Sequence, residues 1–188
     1  PTGTIGKLGQ GFGDKMERKY ETIDKLKSKI SNEKDKRKRT NLKARCARLR
    51  TKIVNTVNDF QWKSANFLCS NYKYILFPDF GSKKIKEKIN KTCRRKMDTL
   101  SHYKFRMKME HMCKEYGSQM IIVSEAYTSK TCGYCGGYRS TPKKDEYDWY
   151  SCKKCGFECD RDYNGARNIL IRYATENEKN LSAVKMRV

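Results

Sequence analysis

Thr128-Ser129-Lys130-Thr131-Cys132-Gly133-Tyr134-Cys135-Gly136 and Ser151-Cys152-Lys153-Lys154-Cys155-Gly156 carry two Cys-x-x-Cys pairs separated by 16 residues, 136 to 151. Pairs at that interval can close one tetrahedral zinc site from two turns. Gly133 and Gly136 accompany the first pair and Gly156 follows the second, because a tight turn carrying two thiolates needs a residue free to take positive φ. Four thiolates leave no open coordination position, so zinc on Cys132, Cys135, Cys152 and Cys155 is expected to hold a ribbon folded and to do no chemistry itself. The ribbon lies between two carboxylates, Glu125 on one side and Asp162 on the other, and its folding is expected to bring them together.

Working outward, 188 residues suffice for one substantial domain with a small zinc-held satellite. Forty-three Lys plus Arg against 21 Asp plus Glu give a net charge of +22, which points to a polyanionic partner, nucleic acid first. No apolar run of about 18 residues exists to span a membrane, and the cations are not confined to one amphipathic face. Nine cysteines without a signal-peptide pattern, four of them at zinc spacing, indicate a reducing compartment. Cys46, Cys69, Cys93 and Cys113 fall in helical patterns and read as small buried apolar residues, and Cys159 as a spare structural thiol near the ribbon.

Residues 3 to 13 alternate small and apolar and predict a short strand leaving a turn. From Asp14, which reads as a helix cap, Met16, Tyr20, Ile23, Leu26 and Ile30 recur at helical spacing. Residues 31 to 40 hold no apolar side chain and predict a solvated helix end and turn. A second stripe, Cys46, Leu49, Ile53, Val57, Phe60, Ser64 and Phe67, completes a long helical hairpin. Residues 72 to 77 predict a strand in a sheet interior that stops at Pro78. Two helical stripes follow, Ile85, Ile89, Cys93, Met97 and Leu100, then Phe105, Met109, Met112, Cys113 and Tyr116, closed by Gly117 as a C-cap. Residues 119 to 124 predict a buried strand that delivers Glu125 at its end. Ala166, Ile169, Leu170 and Tyr173 predict a last helix starting beside Asp162, with a polar tail from Thr175. Strands separated by helices indicate an α/β domain.

A carboxylate at a strand end and another just before a helix can share hard divalent ions, and nucleic-acid cleaving sites use three or four such acids around two magnesium ions about 4 Å apart. Read from the residues alone, Asp162 serves equally as a helix cap and Glu125 as a solvated strand end. Tyr138, Arg139, Lys143, Lys144, Tyr147, Trp149 and Tyr150 mix cations and aromatic faces suited to phosphates and unstacked bases, although the aromatics could instead pack a small ribbon core.

The Thr128–Gly136 run, the second Cys-x-x-Cys-Gly and Arg161-Asp162-Tyr163-Asn164-Gly165-Ala166-Arg167-Asn168-Ile169-Leu170 resemble the C-terminal part of TnpB-type nucleases and their eukaryotic and giant-virus relatives, the Fanzor proteins. The motif match covers residues 120 to 172. It implies an RNase H-like RuvC fold with a long helical hairpin and an inserted four-cysteine zinc ribbon. It further implies magnesium-dependent DNA hydrolysis guided by RNA, in a transposon-associated nuclease, with guide RNA and target DNA as partners. Asp162 matches the third acid of the family, and Asp160 is the weaker neighbour. The second acid of TnpB proteins ends the strand that here reads Tyr74-Ile75-Leu76-Phe77-Pro78-Asp79-Phe80, where Pro78 cannot bind a metal. Fanzor-like proteins supply a glutamate just ahead of the Thr-Ser-Lys-Thr-Cys segment; Glu125 fits that place and Asp79 is its rival.

The family's first acid sits in an Asp-x-Gly strand upstream of the turn that residues 4 to 9 would complete, and no Asp precedes Asp14. The expectation is therefore a C-terminal piece whose N-terminal portion lies elsewhere. Its domains would be 1–127 (RuvC-like core with helical insertion), 128–159 (zinc ribbon binding target nucleic acid) and 160–188 (core, last helix). Lys130, Arg139, Lys143, Lys144, Trp149 and Arg161 are the candidate nucleic-acid contacts. Lys36-Arg37-Lys38-Arg39 reads as a nuclear import signal or equally as a solvated helical turn. The alternative is a catalytically idle zinc-ribbon protein that binds nucleic acid, either a decayed transposon remnant or a regulatory factor. The 188-residue chain alone, lacking one acid, is expected not to cut DNA.

Overall fold

The computed structural model describes residues 6–79, 91–138 and 148–177. Their contacts fall into two compact units, one built from residues up to Lys73 together with 82–118, the other from 74–81 and 119 onward.

The first unit is helical. Helix α1 spans Phe12–Asn32 and α2 spans Lys36–Asn71, joined across Glu33–Asp35. Met16, Ile23 and Leu26 of α1 share one buried core with Cys46, Ile53 and Val57 of α2, so the two predicted stripes do meet as a hairpin. Burying each large apolar side chain is worth about 1.5–3 kcal/mol, which is what keeps two highly charged helices together. Asp35 caps α2 by accepting from the Lys38 N–H at 2.8 Å. The helix thus starts well before its apolar stripe, and the Lys36–Arg39 run is its exposed first turn.

Three expectations in this unit need correction. Residues 6–11 form a bend and turn, with Gly9 and Gly11 at φ 79 and 72, and no strand; residues 1–5 lie outside the described set. The turn rules: Gly9 places its backbone so close to the Phe60 ring that an added Cβ would lie 2.6 Å from it. Asp14 is not the cap of α1; Gly11 holds that position and Asp14 sits in the first turn. Along α2 the buried stripe ends on Gln61, Ser64, Ala65 and Cys69, leaving Phe67 exposed.

Helix α3 spans Lys91–Leu100 and α4 spans His102–Tyr116, divided at Ser101, whose φ of 40 is left-handed. Ile85, Ile89 and the Cys93 side chain lie outside the described residues. Gly117, at φ 65, closes α4 with its N–H on the Cys113 carbonyl, as the C-cap reading requires. Met109 and Cys113 are buried and Tyr116 is exposed, its hydroxyl donating to Asn66. Cys69 and Cys113 pack with their sulfurs 3.5 Å apart as free thiols. Buried Gln61 is fully used: its amide nitrogen donates to the Leu100 carbonyl and its oxygen accepts from Lys108 at 2.7 Å. A single polar side chain thereby ties α2 to both α3 and α4.

The second unit mixes strands and a helix. Strand β1 is Tyr74–Pro78 and β2 is Gln119–Val123, paired in parallel from Tyr74 opposite Gln119 to Pro78 opposite Val123. Helices intervene in sequence between these parallel strands, the α/β connection predicted. Among the described residues β1 pairs with β2 alone, and β2 is half-buried with Gln119 and Ile122 exposed, short of the buried strand expected. Strands β3 (Trp149–Ser151) and β4 (Glu158–Asp160) form an antiparallel ribbon, and helix α5 (Arg161–Glu176) follows directly. The buried residues of α5 are Asn164 and Asn168, whereas Ala166, Leu170 and Ile171 are exposed; its predicted apolar stripe is not what it buries. No described helix is long and apolar enough to cross a membrane.

The helical core generates a direct check. Met109, 0 % exposed, is expected to cost about 2–5 kcal/mol on truncation to alanine, while Met107, 47 % exposed, is expected to cost under about 0.5 kcal/mol; urea unfolding of both variants reads the difference.

Candidate metal centre and flanking carboxylates

The two Cys-x-x-Cys segments adopt the same fold. Cys132 N–H donates to the Gly137 carbonyl at 2.8 Å and Gly136 N–H to the Cys132 carbonyl at 2.9 Å. Cys152 N–H to Phe157 and Gly156 N–H to Cys152, both at 2.9 Å, repeat the pattern. Gly136 and Gly156 both take φ 72, the conformation such a turn reserves for glycine. Gly133 is not at positive φ; it is glycine for space, since a Cβ there would lie 3.0 Å from Arg167 Cδ and 3.1 Å from Asn164 Oδ1.

All four Sγ atoms lie within 4.8 Å of one another, with Cys132 to Cys155 at 3.8 Å and Cys135 to Cys152 at 3.7 Å. Zinc–sulfur bonds of about 2.3 Å in a tetrahedron require sulfur–sulfur edges of about 3.8 Å, so the donor set fits zinc in both chemistry and size. The N–H groups of Cys155 and Lys154 favour a thiolate at Cys152 and bring its pKa down to about 6. At Cys155 the Phe157 N–H also favours the thiolate, but burial and the neighbouring sulfurs outweigh it and push the group up to about 12. Sulfurs this close cannot all ionise without a cation among them. Cys159 stands outside the four, half-buried against the core formed by Cys132, Tyr150 and Cys152, and burial raises its thiol.

Sequence reasoning missed what locks this cluster to the helix. Asn164 Oδ1 accepts from the Gly133 N–H at 2.9 Å, and its Nδ2 donates to the Thr131 carbonyl at 2.8 Å. Asn168 Nδ2 donates to the carbonyls of Thr128 at 2.8 Å and Thr131 at 2.7 Å, and Arg167 Nε to the Gly133 carbonyl at 2.9 Å. Two asparagines four residues apart on the predicted helix, Asn164 and Asn168, were the available signal: they share one face.

The carboxylates sit at element ends. Asp79 and Glu125 follow β1 and β2 at the same C-terminal edge of the parallel pair, where Asp79 N–H donates to the Val123 carbonyl at 2.9 Å. That edge is where open parallel sheets present ligand-binding groups. Glu125 is half-buried; desolvation first, and the Asp79 charge second, raise its pKa above the ordinary carboxylate value. It is not a freely solvated strand end. A turn follows at once, in which Tyr127 takes φ 66 and Thr128 Oγ1 donates to the Glu125 carbonyl at 2.8 Å. A bulky residue held in the left-handed region is a strain that the surrounding bonds must impose.

Asp162 lies in the first turn of α5, exposed. The cap of that helix is Asp160, whose side chain accepts from the Asp162 N–H at 2.9 Å, so capping does not explain Asp162. Among the described residues the four cysteines are the sole group of three or more His, Cys, Asp or Glu side chains placed to hold one metal, and neither Glu125 nor Asp162 belongs to such a group; the acid beside Glu125 is Asp79.

Of the candidate nucleic-acid contacts, Arg139, Lys143 and Lys144 lie outside the described residues, as does Tyr147. Lys130 and Arg161 are half-buried, their backbone N–H groups bonded to Tyr127 and Asp148. Trp149 is 52 % exposed, as are Tyr138 and Tyr134 to a greater degree, the last stacked on Phe157 at 5.7 Å. For Tyr150 the packing alternative holds: at 1 % exposed it sits in the ribbon core against Cys132 and Cys152 and offers no face to a base.

Residues 102–169 match the family described as Cas12f1-like, TNB domain. A TnpB-like protein of Acanthamoeba polyphaga mimivirus is 32% identical over 158 residues, covering 80% of this chain and 30% of the viral protein. The chain is related to the TnpB-like proteins. A CRISPR-associated endodeoxyribonuclease Cas12f1 of Sulfoacidibacillus thermotolerans is 34% identical over 71 residues, 38% of this chain and 17% of that one. The fold is shared with a Cas12f1 chain solved by cryo-electron microscopy in a Cas12f1-sgRNA-target DNA complex, at a TM-score of 0.52 and 23% identity over 79% of this chain and 41% of the other. The chain thus spans less than half the length of each of these relatives.

The raised Glu125 carboxyl carries a stability consequence of definite sign. A carboxyl whose folded pKa exceeds its unfolded value favours the folded state while protonated, and that contribution is lost as pH rises through the folded pKa. Glu125→Gln is therefore expected to raise the melting temperature at pH 7 without divalent ions and to match the parent at pH below the unfolded value. Equal melting at pH 7 would show that the carboxylate is neither desolvated nor repelled by Asp79.

Proposed function

We propose that this chain is the C-terminal RuvC and zinc-ribbon part of an RNA-guided DNA endonuclease of Fanzor type, transposon-associated, with an RNase H-like core. The observation that supports it best is the placement of Glu125. It lies two residues past the end of a parallel strand, beside Asp79 and just ahead of the Thr-Ser-Lys-Thr-Cys knuckle, the position at which Fanzor-like proteins carry a relocated acid. In this reading 1–127 and 160–188 belong to the nuclease core and 128–159 to the ribbon.

Glu125 and Asp162 offer hard oxygen donors suited to magnesium, with the family's first acid completing the set. Magnesium, when bound, supplies an activated water and charge stabilisation at the leaving oxygen. Desolvation and, second, the Asp79 charge raise the Glu125 carboxyl, and a divalent cation would offset the Asp79 repulsion. Zinc on the four cysteines is structural. Guide RNA and target DNA are the partners, held by their phosphates. A cavity of about 550 Å³ in the helical unit is walled by Ile23, Ile53, Val54 and Val57 and also meets Lys27, Arg50 and Lys104, cations of the type that hold phosphate backbones, while its Arg95 is paired with Asp24. The exposed Lys36–Arg39 turn is available as a nuclear import signal, and the nucleus is the proposed workplace.

A second reading is a zinc-ribbon protein that binds nucleic acid without cutting it. It is favoured by the four cysteines being, among the described residues, the sole group placed to hold a metal. The two separate cleanly. The complete gene product, with its co-purifying RNA, is expected to cut target DNA in magnesium, and Glu125→Gln to lower the rate by at least about 100-fold while binding is retained. Equal cutting by both would move the role to Asp79, and no cutting by either would favour the second reading. The 188-residue chain alone is expected to bind DNA without cleaving it.

Metal content provides a further check. One zinc per chain is expected, lost in Cys152→Ser together with cooperative melting of the ribbon, and magnesium is expected not to replace it.

A further inference from the structure

The same few hydrogen bonds reach both the sulfur cluster and the candidate acids. Gly133, inside the first knuckle, is held by Asn164 through its N–H and by Arg167 through its carbonyl. Thr131 and Thr128 are held through their carbonyls by Asn164 and Asn168. Thr128 in turn fastens Glu125, donating to its carbonyl from both Oγ1 at 2.8 Å and N–H at 3.3 Å. Asp162 precedes Asn164 by two residues on the same helix turn. Both asparagines are buried, 1 % and 7 % exposed, so water cannot take over these bonds while the helix is docked.

We propose that Asn164 and Asn168 are positioning residues that couple zinc occupancy of the four-cysteine site to the order of the Glu125 turn, so that the zinc ribbon licenses the neighbouring acid site. Without a cation the four sulfurs repel or share protons, the first knuckle loosens, and Gly133 ceases to be a fixed partner for Asn164. The strained Tyr127 conformation then loses the bonds that impose it, and Glu125 is released from its place beside Asp79. The coupling is reciprocal: whatever zinc adds to the order of the turn, an intact clasp must add to zinc affinity. This rests on Glu125 being a metal-binding acid for its functional meaning, but the coupling itself is measured without cleavage.

The experiment is amide hydrogen exchange across residues 125–131 on the zinc-loaded and zinc-stripped chain, paired with zinc affinity from competition with a chromophoric chelator, for the parent, Asn168→Ala and Asn164→Asp. Asn164→Asp keeps the acceptor for Gly133 and removes the donor to Thr131. In the parent, zinc removal is expected to speed exchange of Thr128, Lys130 and Thr131 amides by about tenfold or more. In zinc-loaded Asn168→Ala these amides are expected to exchange fast already, while Gly156, in the second knuckle, stays protected. Both variants are expected to bind zinc about tenfold more weakly although every cysteine is intact. A variant that no longer takes up zinc is the extreme of the same result. Exchange at 128–131 that ignores zinc in the parent, or variants with parental zinc affinity, would overturn the proposal. Neither outcome bears on whether Glu125→Gln cuts DNA, so the coupling and the nuclease reading fail separately.

Discussion

Asparagine amides in a nearly water-free position are the constraint on which the second unit depends. Asn164 and Asn168 satisfy the Gly133 N–H and the carbonyls of Thr128 and Thr131, backbone groups of a turn too short to pair with themselves. A typical hydrogen bond contributes only about 0.5–1.5 kcal/mol net, but a buried group left unpaired costs about 1–3 kcal/mol. Leucine at either position would fill the space and strand several such groups. An amide, offering donor and acceptor together, can serve an N–H and a carbonyl from one side chain, and this is why the buried face of α5 is polar while Leu170 and Ile171 remain exposed.

Much of the helical unit was legible because its signals are local and repeated. The Met16–Ile30 and Cys46–Val57 stripes and the Gly117 cap each follow from one periodicity or one backbone angle. The ribbon cysteines were legible for the same reason: their spacing encodes two identical turns, each closed by a glycine at φ 72. What failed depended on partners far away in sequence. Phe67 keeps the helical phase yet is exposed, because α4 meets α2 through Gln61 and Cys69 instead. The ribbon aromatics read either as base-stacking faces or as core, and Tyr150 turned inward, where with the half-buried Phe157 it fills the small core that three-residue strands enclose. The β2 strand reads as fully buried from Met-Ile-Ile-Val, but successive side chains point to opposite faces of the sheet, and Ile122 is exposed while Met120, Ile121 and Val123 are half-buried.

At the candidate site, the residue types were legible and the geometry was not. Glu125 and Asp162 stand out in sequence, but only the register Pro78 opposite Val123 sets Asp79 and Glu125 at one sheet edge. Only the bond from Asp160 to the Asp162 N–H removes the capping explanation for Asp162. Sequence placed Asp79 as a rival of Glu125; the fold makes it a neighbour whose charge raises the Glu125 carboxyl. Electrostatics of that kind arise from two strands with α3 and α4 between them in the chain and cannot be read from either strand alone.

The most direct measurement is anomalous-difference density in crystals of the complete protein with its nucleic acids, grown in manganese, with data collected at the manganese edge and above the zinc edge. A zinc peak among Cys132, Cys135, Cys152 and Cys155 serves as the internal standard. The account predicts a manganese peak in contact with the carboxylates of Glu125 and Asp162. A strong zinc peak with both carboxylates ordered and no manganese beside them would contradict it.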